Sequence, residues 1–359
     1  MFEKEELKRY NRQIILPELG LAGQQKLKAA KVLVVGAGGL GCPVLQYLVA
    51  AGVGTLGIID DDVVDESNLH RQILYSPLDL GLKKALIAQA KLKLFNPHVN
   101  ILAYHQRLTD QNIYTLLEGY DLIIDGSDNF PTRYLVNDAC VKLNKPLVFG
   151  AIYKFEGQVS VFNYLDGPNY RDLFPEAPAA GEVPSCGEIG VIGVLPGIIG
   201  TLMANEAIKI ICGIGETLSG RLLCVDALSN AINIFKVNRA SVSVNSDARA
   251  DLSQDISYEP VCSKDEVGVD ELNSWLKSAK DEICLVDVRE TYEFEDYNIG
   301  GINIPLDELV ERLSELPADK TKVVFCCQTG HRSKQAVYLT QSLIKAQLFS
   351  LSGGIYNTL

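Results

Sequence analysis

The chain has no cysteine pair at C-x-x-C spacing, no basic excess, no internal repeat and no low-complexity tract. Each absence excludes something. Nine cysteines (42, 140, 186, 212, 224, 262, 284, 326 and 327) are an odd number in a long chain, which points to reduced thiols rather than a disulfide framework. The most apolar stretch, Gly190 to Ala204, is broken by Pro196 and runs into Asn205 and Glu206, so no membrane span is expected. The first residues, Met-Phe-Glu-Lys-Glu-Glu, carry acids where a secretory signal needs a basic start, and the expected compartment is the cytoplasm. Lys plus Arg number 33 against 45 Asp plus Glu, a net charge of -12. That acidic balance repels phosphodiester backbones and anionic lipid and argues against nucleic acid or a membrane as the main partner. With 359 residues, 47% of them apolar, the chain is long and apolar enough for two folded domains and is not a disordered polymer.

Hydrophobic patterning predicts α/β organisation. Residues 1 to 29 read as helical; Val32 to Val35 is a β-branched run; Gly36 to Gly41 is a glycine turn; Leu45 to Ala51 is helical; Leu56 to Ile59 is a second strand. Strands recur at 121–125, 146–150 and 157–162, read as separated by helices, so the expected fold is a doubly wound, mainly parallel sheet of the Rossmann type. This domain is placed at residues 1–239. A Ser/Asp/Asn-rich linker follows at 240–257, and a smaller α/β domain at 258–359. The latter is expected to hold helices at 270–276, 306–313 and 333–343 and strands at 283–288, 323–326 and 348–351.

Gly36-Ala-Gly38-Gly39-Leu-Gly41 has the G-x-G-x-x-G form between a strand and a helix, where bare backbone lets phosphates reach unpaired N–H groups. Asp60 ends the next strand, placed to accept hydrogen bonds from a ribose. These features indicate a nucleotide without choosing one. The residues that follow favour ATP over NAD: Asp62, Asn68, Arg71 and Lys84 join acids to cationic and amide donors. A triphosphate, with about four negative charges, needs such a set, whereas hydride transfer does not.

The combination of Arg9-Tyr-Asn-Arg12-Gln-Ile-Ile15, the glycine turn, Ala51-Gly-Val-Gly54, Asp60-x-Asp62, Ser67-Asn-Leu-x-Arg-Gln72, Asn96-Pro97 and Asp125-Gly-Ser-Asp128-Asn129 strongly resembles the MoeB/ThiF family, bacterial relatives of ubiquitin-activating enzymes. The resemblance implies ATP-dependent adenylation of the C-terminal glycine of a ubiquitin-like sulfur-carrier protein, of the kind serving molybdopterin or thiamine biosynthesis. It also implies roles for residues at matching positions. Gly38, Gly39 and Gly41 line the phosphates; Asp60 and Asp62 lie at the ribose side; Asn68, Arg71 and Lys84 steady the triphosphate; Asp128 holds Mg²⁺. Arg12 matches an arginine that reaches the ATP of a neighbouring subunit, implying a homodimer. Against these stand plainer readings: Arg12 as a solvated helix charge, Lys84 as a surface lysine, Asp128 as a helix N-cap.

Many relatives carry two C-x-x-C pairs for structural zinc; here the first position reads Asn169-Tyr-Arg-Asp172, so no structural zinc is expected. Cys186 lies in a Gly- and Pro-containing segment and matches a cysteine that some relatives use to hold the activated carrier or accept sulfur, while Glu182 and Glu188 beside it argue against an activated thiol. Cys42, Cys140, Cys212 and Cys224 read as packing residues.

In the second domain, an apolar strand runs into Cys326-Cys327-Gln328-Thr329-Gly330-His331-Arg332 and then a helix. Counting from Cys326 gives the C-x5-R spacing of cysteine phosphatases; counting from Cys327 gives a six-residue loop. The latter is favoured, because Cys327 to Ser333, with Asp287-Val-Arg289-Glu, Gly300-Gly-Ile-Asn-Ile-Pro305 and Leu351-Ser-Gly-Gly354, resembles the single-domain rhodaneses. That implies a Cys327 persulfide fed by a sulfur donor such as a cysteine desulfurase or thiosulfate. Asp287 and Arg289 read equally as a structural ion pair or a substrate contact. Three rival functions remain: a nucleotide-binding oxidoreductase, a phosphatase working through Cys326, and a carrier-binding module without turnover.

Overall fold

The computed structural model describes residues 2–177, 190–239, 266–278, 282–317 and 320–355. The linker at 240–257, Cys186 and Cys262 lie outside the described residues. The chain divides into two compact units, Met1–Ser243 and Val244–Leu359.

In the first unit, α1 (Lys4–Ile14) and α2 (Gly20–Ala29) replace the single helical stretch expected. The break falls where Pro17 disfavours helix at the residue before it and Gly20 turns left-handed at φ 58°. Strands β1 (Lys31–Val35), β2 (Thr55–Ile59), β3 (Asn100–Tyr104), β4 (Leu122–Asp125), β5 (Leu147–Tyr153), β6 (Glu156–Phe162), β7 (Arg221–Asp226) and β8 (Ala231–Lys236) form one sheet in the order β3-β2-β1-β4-β5-β6-β7-β8. The first five are parallel. The central strands β1, β2 and β4 are almost uniformly buried because both faces are covered, whereas β3, at the edge, buries only Ile101 fully. Val32 and Val34 face α2, α3 (Gly41–Ala51), α4 (Lys84–Phe95) and α8 (Leu195–Cys212); Leu33 and Val35 face α5 (Ile113–Glu118) and α6 (Phe130–Leu143). By length and composition α8 would suit a bilayer; here it packs on α3, β5 and β6, half of it buried. A short helix, α7 (Tyr170–Leu173), precedes it.

The strand at 157–162 does not continue the parallel series. Tyr153 pairs with Glu156, so β5 and β6 form a tight hairpin through Lys154, at φ 53°, and Phe155. A parallel return needs a crossover of about a dozen residues, and none is present between these strands.

The second unit is a parallel sheet in the order β11-β10-β12-β13-β9, built from β9 (Glu266–Val267), β10 (Ile283–Asp287), β11 (Ile302–Asn303), β12 (Lys322–Cys326) and β13 (Gln347–Leu351), with α9 (Val269–Ser278), α10 (Thr291–Asp296) and α11 (His331–Thr340). The helix expected at 306–313 is instead a series of turns ending in a 3-10 turn at Leu313–Glu315. Leu306 and Leu309, three apart, pack into the core through i to i+3 bonding, as do Leu313 and Leu316. Three-residue spacing suits the tighter winding.

The parallel register fixes where chemistry occurs. Val35 lies level with both Ile59 and Asp125, so the segments after β1, β2 and β4 emerge together at the carboxyl edge of the sheet, where the strand order reverses.

Candidate functional site

The glycine turn opens at that edge, and its glycines do different jobs. Gly36 has φ +90°, and a Cβ there would lie 2.8 Å from the Gly126 carbonyl oxygen; at Gly41 it would lie 2.0 Å from the Gly36 oxygen. Those two are demanded by the protein's own backbone. At Gly38 a Cβ would meet only Gln72 Nε2, at 3.5 Å, and at Gly39 Pro196, at 3.1 Å. Gly38 and Gly39 form the more open side of the turn.

Asp60 straps the turn from below: its Oδ2 accepts from the Ala37 N–H at 2.8 Å and its Oδ1 from the Asp62 N–H at 2.9 Å. Burial pushes the Asp60 carboxyl above its ordinary range, while the Ala37 N–H and Lys84 pull the other way. Lys84 opens α4 and is not a surface lysine; its side chain is 5% exposed and its Nζ lies 2.9 Å from Asp62 Oδ2, whose own side chain is 69% exposed. Asn68 Oδ1 accepts from Arg71 Nη2 and Gln72 Nε2, both at 3.1 Å, gathering an amide, a guanidinium and a second amide into one patch. Gln72 is buried with its Oε1 unpartnered. It stood in the motif that carries the family resemblance, but nothing in its spacing marked it as separate from Arg71.

Asp128 is exposed and is not a helix cap. Asn129 caps α6, its Oδ1 accepting from the Thr132 N–H at 3.0 Å, and the Asp128 carboxylate has no hydrogen-bond or ion-pair partner among the described residues. Asn169 and Asp172, where relatives carry the first cysteine pair, form a capping box on α7. Arg12 is set apart. It is exposed on the last turn of α1, and its neighbour Gln13 donates to the Ala51 carbonyl at the far end of α3 from the turn, roughly 16 Å away at 1.5 Å per residue. Cys42 is a packing thiol: burial pushes it up to about 12.

In the second unit the doublet splits across the sheet. Cys326 packs with Val267, Leu285, Val324 and Leu351 on one face, while Cys327 lies with Val286, Phe325 and Ala336 toward the other. Burial pushes the Cys326 thiol well up, with Asp287 and Cys327 adding to it, and among the described residues no N–H group donates to its sulfur. The Cys327 sulfur instead accepts from the backbone N–H groups of Gly330, at 3.2 Å, and Ser333, at 3.4 Å. Gly330, at φ +93°, is the N-cap of α11, so these are donors that the helix itself cannot satisfy. Ser333 Oγ donates to the Gly330 carbonyl at 3.0 Å and holds the loop closed. Gln328 and Thr329, the latter exposed, complete the loop ahead of α11.

Arg332 is engaged by Glu293, its two Nη atoms at 2.6 and 2.8 Å from the carboxylate oxygens. Asp287 and Arg289 are structural. The pair is almost fully buried at 2.7 Å, and Arg289 also donates to Gln328 Oε1, at 3.1 Å, and to the Tyr297 carbonyl, at 2.6 Å, bracing the loop from beneath. Ser333 closed the loop string that carries the rhodanese resemblance but was given no role of its own, and Glu293 escaped the sequence analysis because it lies outside that string.

The first centre can thus hold a phosphate chain against backbone N–H groups with cations and an unpaired carboxylate beside it; the second can stabilise an anionic sulfur. Known families match both units. The ThiF family matches residues 10–245 and the rhodanese-like domain residues 269–358. The chain is 43% identical to the "Probable adenylyltransferase/sulfurtransferase MoeZ" of Mycobacterium tuberculosis, over 98% of this chain and 92% of that protein. It is 58% identical to the "Sulfur carrier protein adenylyltransferase" of Thermus thermophilus, over 66% of this chain and 89% of that one. Among solved structures, E. coli MccB with ATP superposes at a TM-score of 0.57 with 23% identity, covering 67% of this chain and 74% of that one, a likeness of fold.

Proposed function

This chain belongs to the ThiF family and ends in a rhodanese-like domain; it is an adenylyltransferase and sulfurtransferase acting on a ubiquitin-like sulfur carrier, and from that premise we propose how its two centres divide the work. The first activates the carrier's C-terminal glycine. A carboxylate is a poor electrophile because oxide is not a leaving group. Attack of its oxygen on the α-phosphorus of ATP breaks the bond to pyrophosphate and gives an acyl-adenylate. The protein's part in this step is positioning and charge neutralisation, with no general base required. Gly38 and Gly39 present backbone to the phosphates, Asp60 takes the ribose hydroxyls, and Asn68, Arg71 and Lys84 face the triphosphate. Asp128, exposed and unpaired among the described residues, would hold a divalent cation, which would supply charge neutralisation for the leaving pyrophosphate. Arg12, remote from its own turn, serves the nucleotide of a second copy in a homodimer.

At the second centre Cys327 carries a sulfane sulfur taken from a donor, a protein persulfide or thiosulfate. The terminal sulfur attacks the acyl carbon, AMP leaves, and the carrier is joined to Cys327 through an acyl disulfide. A thiol, for which Cys186 is the candidate, then attacks the Cys327 sulfur. The carrier departs as a thiocarboxylate and a protein disulfide remains, which an external dithiol reduces. The observation that carries this assignment is the pair of backbone N–H groups aimed at the Cys327 sulfur: both cysteines are buried, but among the described residues no N–H group donates to Cys326. The test is mass spectrometry of a purified carrier incubated with the full chain, ATP, Mg²⁺, a sulfur donor and a dithiol. The expected result is replacement of one oxygen by sulfur at the carrier terminus; conversion that persists in Cys327→Ala overturns the assignment.

A further inference from the structure

Two buried ionic side chains with no task in the scheme above hold the residue before Asp128. Asp125 ends β4 and is 1% exposed; Arg133, in the first turns of α6, is 9% exposed. Both grip the same residue, from the peptide on either side of it. The Ser127 N–H donates to Asp125 Oδ1 at 2.9 Å, and the Ser127 carbonyl accepts from Arg133 Nη2 at 3.2 Å. Neither backbone polar group of residue 127 is left free. On one side the Gly126 N–H donates to the Val35 carbonyl at 2.8 Å and its own carbonyl presses on Gly36, tying the segment to the glycine turn; on the other, Asn129 caps α6. The Arg133 guanidinium lies 5.5 Å from the ring centres of both Phe130 and Phe149, which limits its swing.

Stability alone does not account for this arrangement. Asp125 Oδ2, Ser127 Oγ and Arg133 Nε are buried without hydrogen-bond partners, and incompletely satisfied buried charge is worse for folding than an apolar cluster of the same volume. We propose that Asp125 and Arg133 are positioning residues: they hold the Ser127–Asp128 peptide level with the glycine turn, so that the Asp128 carboxylate meets a phosphate-bound divalent cation without first ordering its loop. The proposal rests on the assignment of Asp128 as the metal-holding residue. Freeing one residue's backbone should weaken metal binding by about tenfold.

Mn²⁺ bound to the full chain with a non-hydrolysable ATP analogue is counted by electron paramagnetic resonance, alongside thermal melting and binding of the metal-free analogue. Arg133→Met and Asp125→Ala are expected to bind Mn²⁺ about tenfold more weakly with metal-free analogue binding unchanged, and raised Mg²⁺ should restore their pyrophosphate–ATP exchange. Arg133→Lys, which keeps the charge but not the fork, should fall between Arg133→Met and the unaltered chain, and it decides alone if Arg133→Met does not fold. Wild-type Mn²⁺ affinity in folded Arg133 and Asp125 variants, with Asp128→Asn having lost it, overturns the positioning role. Wild-type affinity in Asp128→Asn overturns the metal assignment itself.

Discussion

Gly38→Ala separates folding from phosphate binding. A methyl at Gly38 would touch only Gln72 Nε2, at 3.5 Å, an ordinary contact, and Gly38 is not among the glycines at positive φ. Folding therefore has no reason to suffer. Loss of glycine's freedom in the unfolded chain should stabilise the variant by about 0.4–1 kcal/mol. For a unit spanning Met1–Ser243 that raises the melting temperature by roughly 1–4 °C. The same methyl stands where a phosphate must approach the backbone, and a displacement of about 1 Å from its donors should lower the rate by roughly a hundredfold. Gly41→Ala is the control of opposite sign. Its Cβ would lie 2.0 Å from the Gly36 oxygen, a backbone atom that cannot move aside, so that variant should lose stability before function is measurable. The assays are thermal melting and carrier-dependent pyrophosphate–ATP exchange on the full chain. A Gly38→Ala protein that melts like the parent and exchanges at the parent's rate would refute the placement of the phosphates.

Cys327→Ala should abolish thiocarboxylate formation and leave pyrophosphate–ATP exchange intact, whereas Cys326→Ala should retain both at about 1–2 kcal/mol lower stability; the reverse pattern would reinstate the phosphatase register. Arg289→Met leaves the buried Asp287 carboxylate unpaired and should destabilise the second unit by about 3–5 kcal/mol, read by calorimetry, with Asp287→Ala/Arg289→Met less damaged than Arg289→Met alone. Asp60 has a raised pKa, so its folded form takes up a proton at higher pH than the unfolded chain does. Its contribution to stability therefore falls as pH rises through that window and recovers in acid. Nucleotide affinity should run the other way, weakening as pH falls through the raised pKa because a protonated carboxyl accepts fewer hydrogen bonds. In Asp60→Asn that titration should vanish, and an unchanged pH profile would remove Asp60 from the ribose.

Much of the first centre was legible because local rules wrote it. Strands buried on both faces are nearly uniform apolar runs, and a glycine turn between strand and helix has few alternative uses. Two elements were misread for equally local reasons. Nothing in the apolar pattern of 157–162 says whether its neighbour returns through a helix or a hairpin, and leucines spaced by three fit an α-helix as well as tighter turns. The plainer readings of Lys84 and Asp128 failed for a different reason. Lys84 is buried at the start of α4 with its ammonium on Asp62, and Asn129 rather than Asp128 caps α6, neither of which residue type encodes.

By itself, the amino-acid order determined the α/β class, the nucleotide turn, the family likeness and the presence of a reactive-loop cysteine in one of two registers. The sequence favoured the Cys327 register by resemblance; the tertiary structure added which sulfur meets unpaired backbone N–H groups and revealed the buried grip on residue 127. Successive side chains leave a strand on opposite faces, so the two adjacent cysteines meet different surroundings. Which one meets unpaired backbone N–H groups depends on how the following helix turns back over the sheet, and that is a long-range packing outcome.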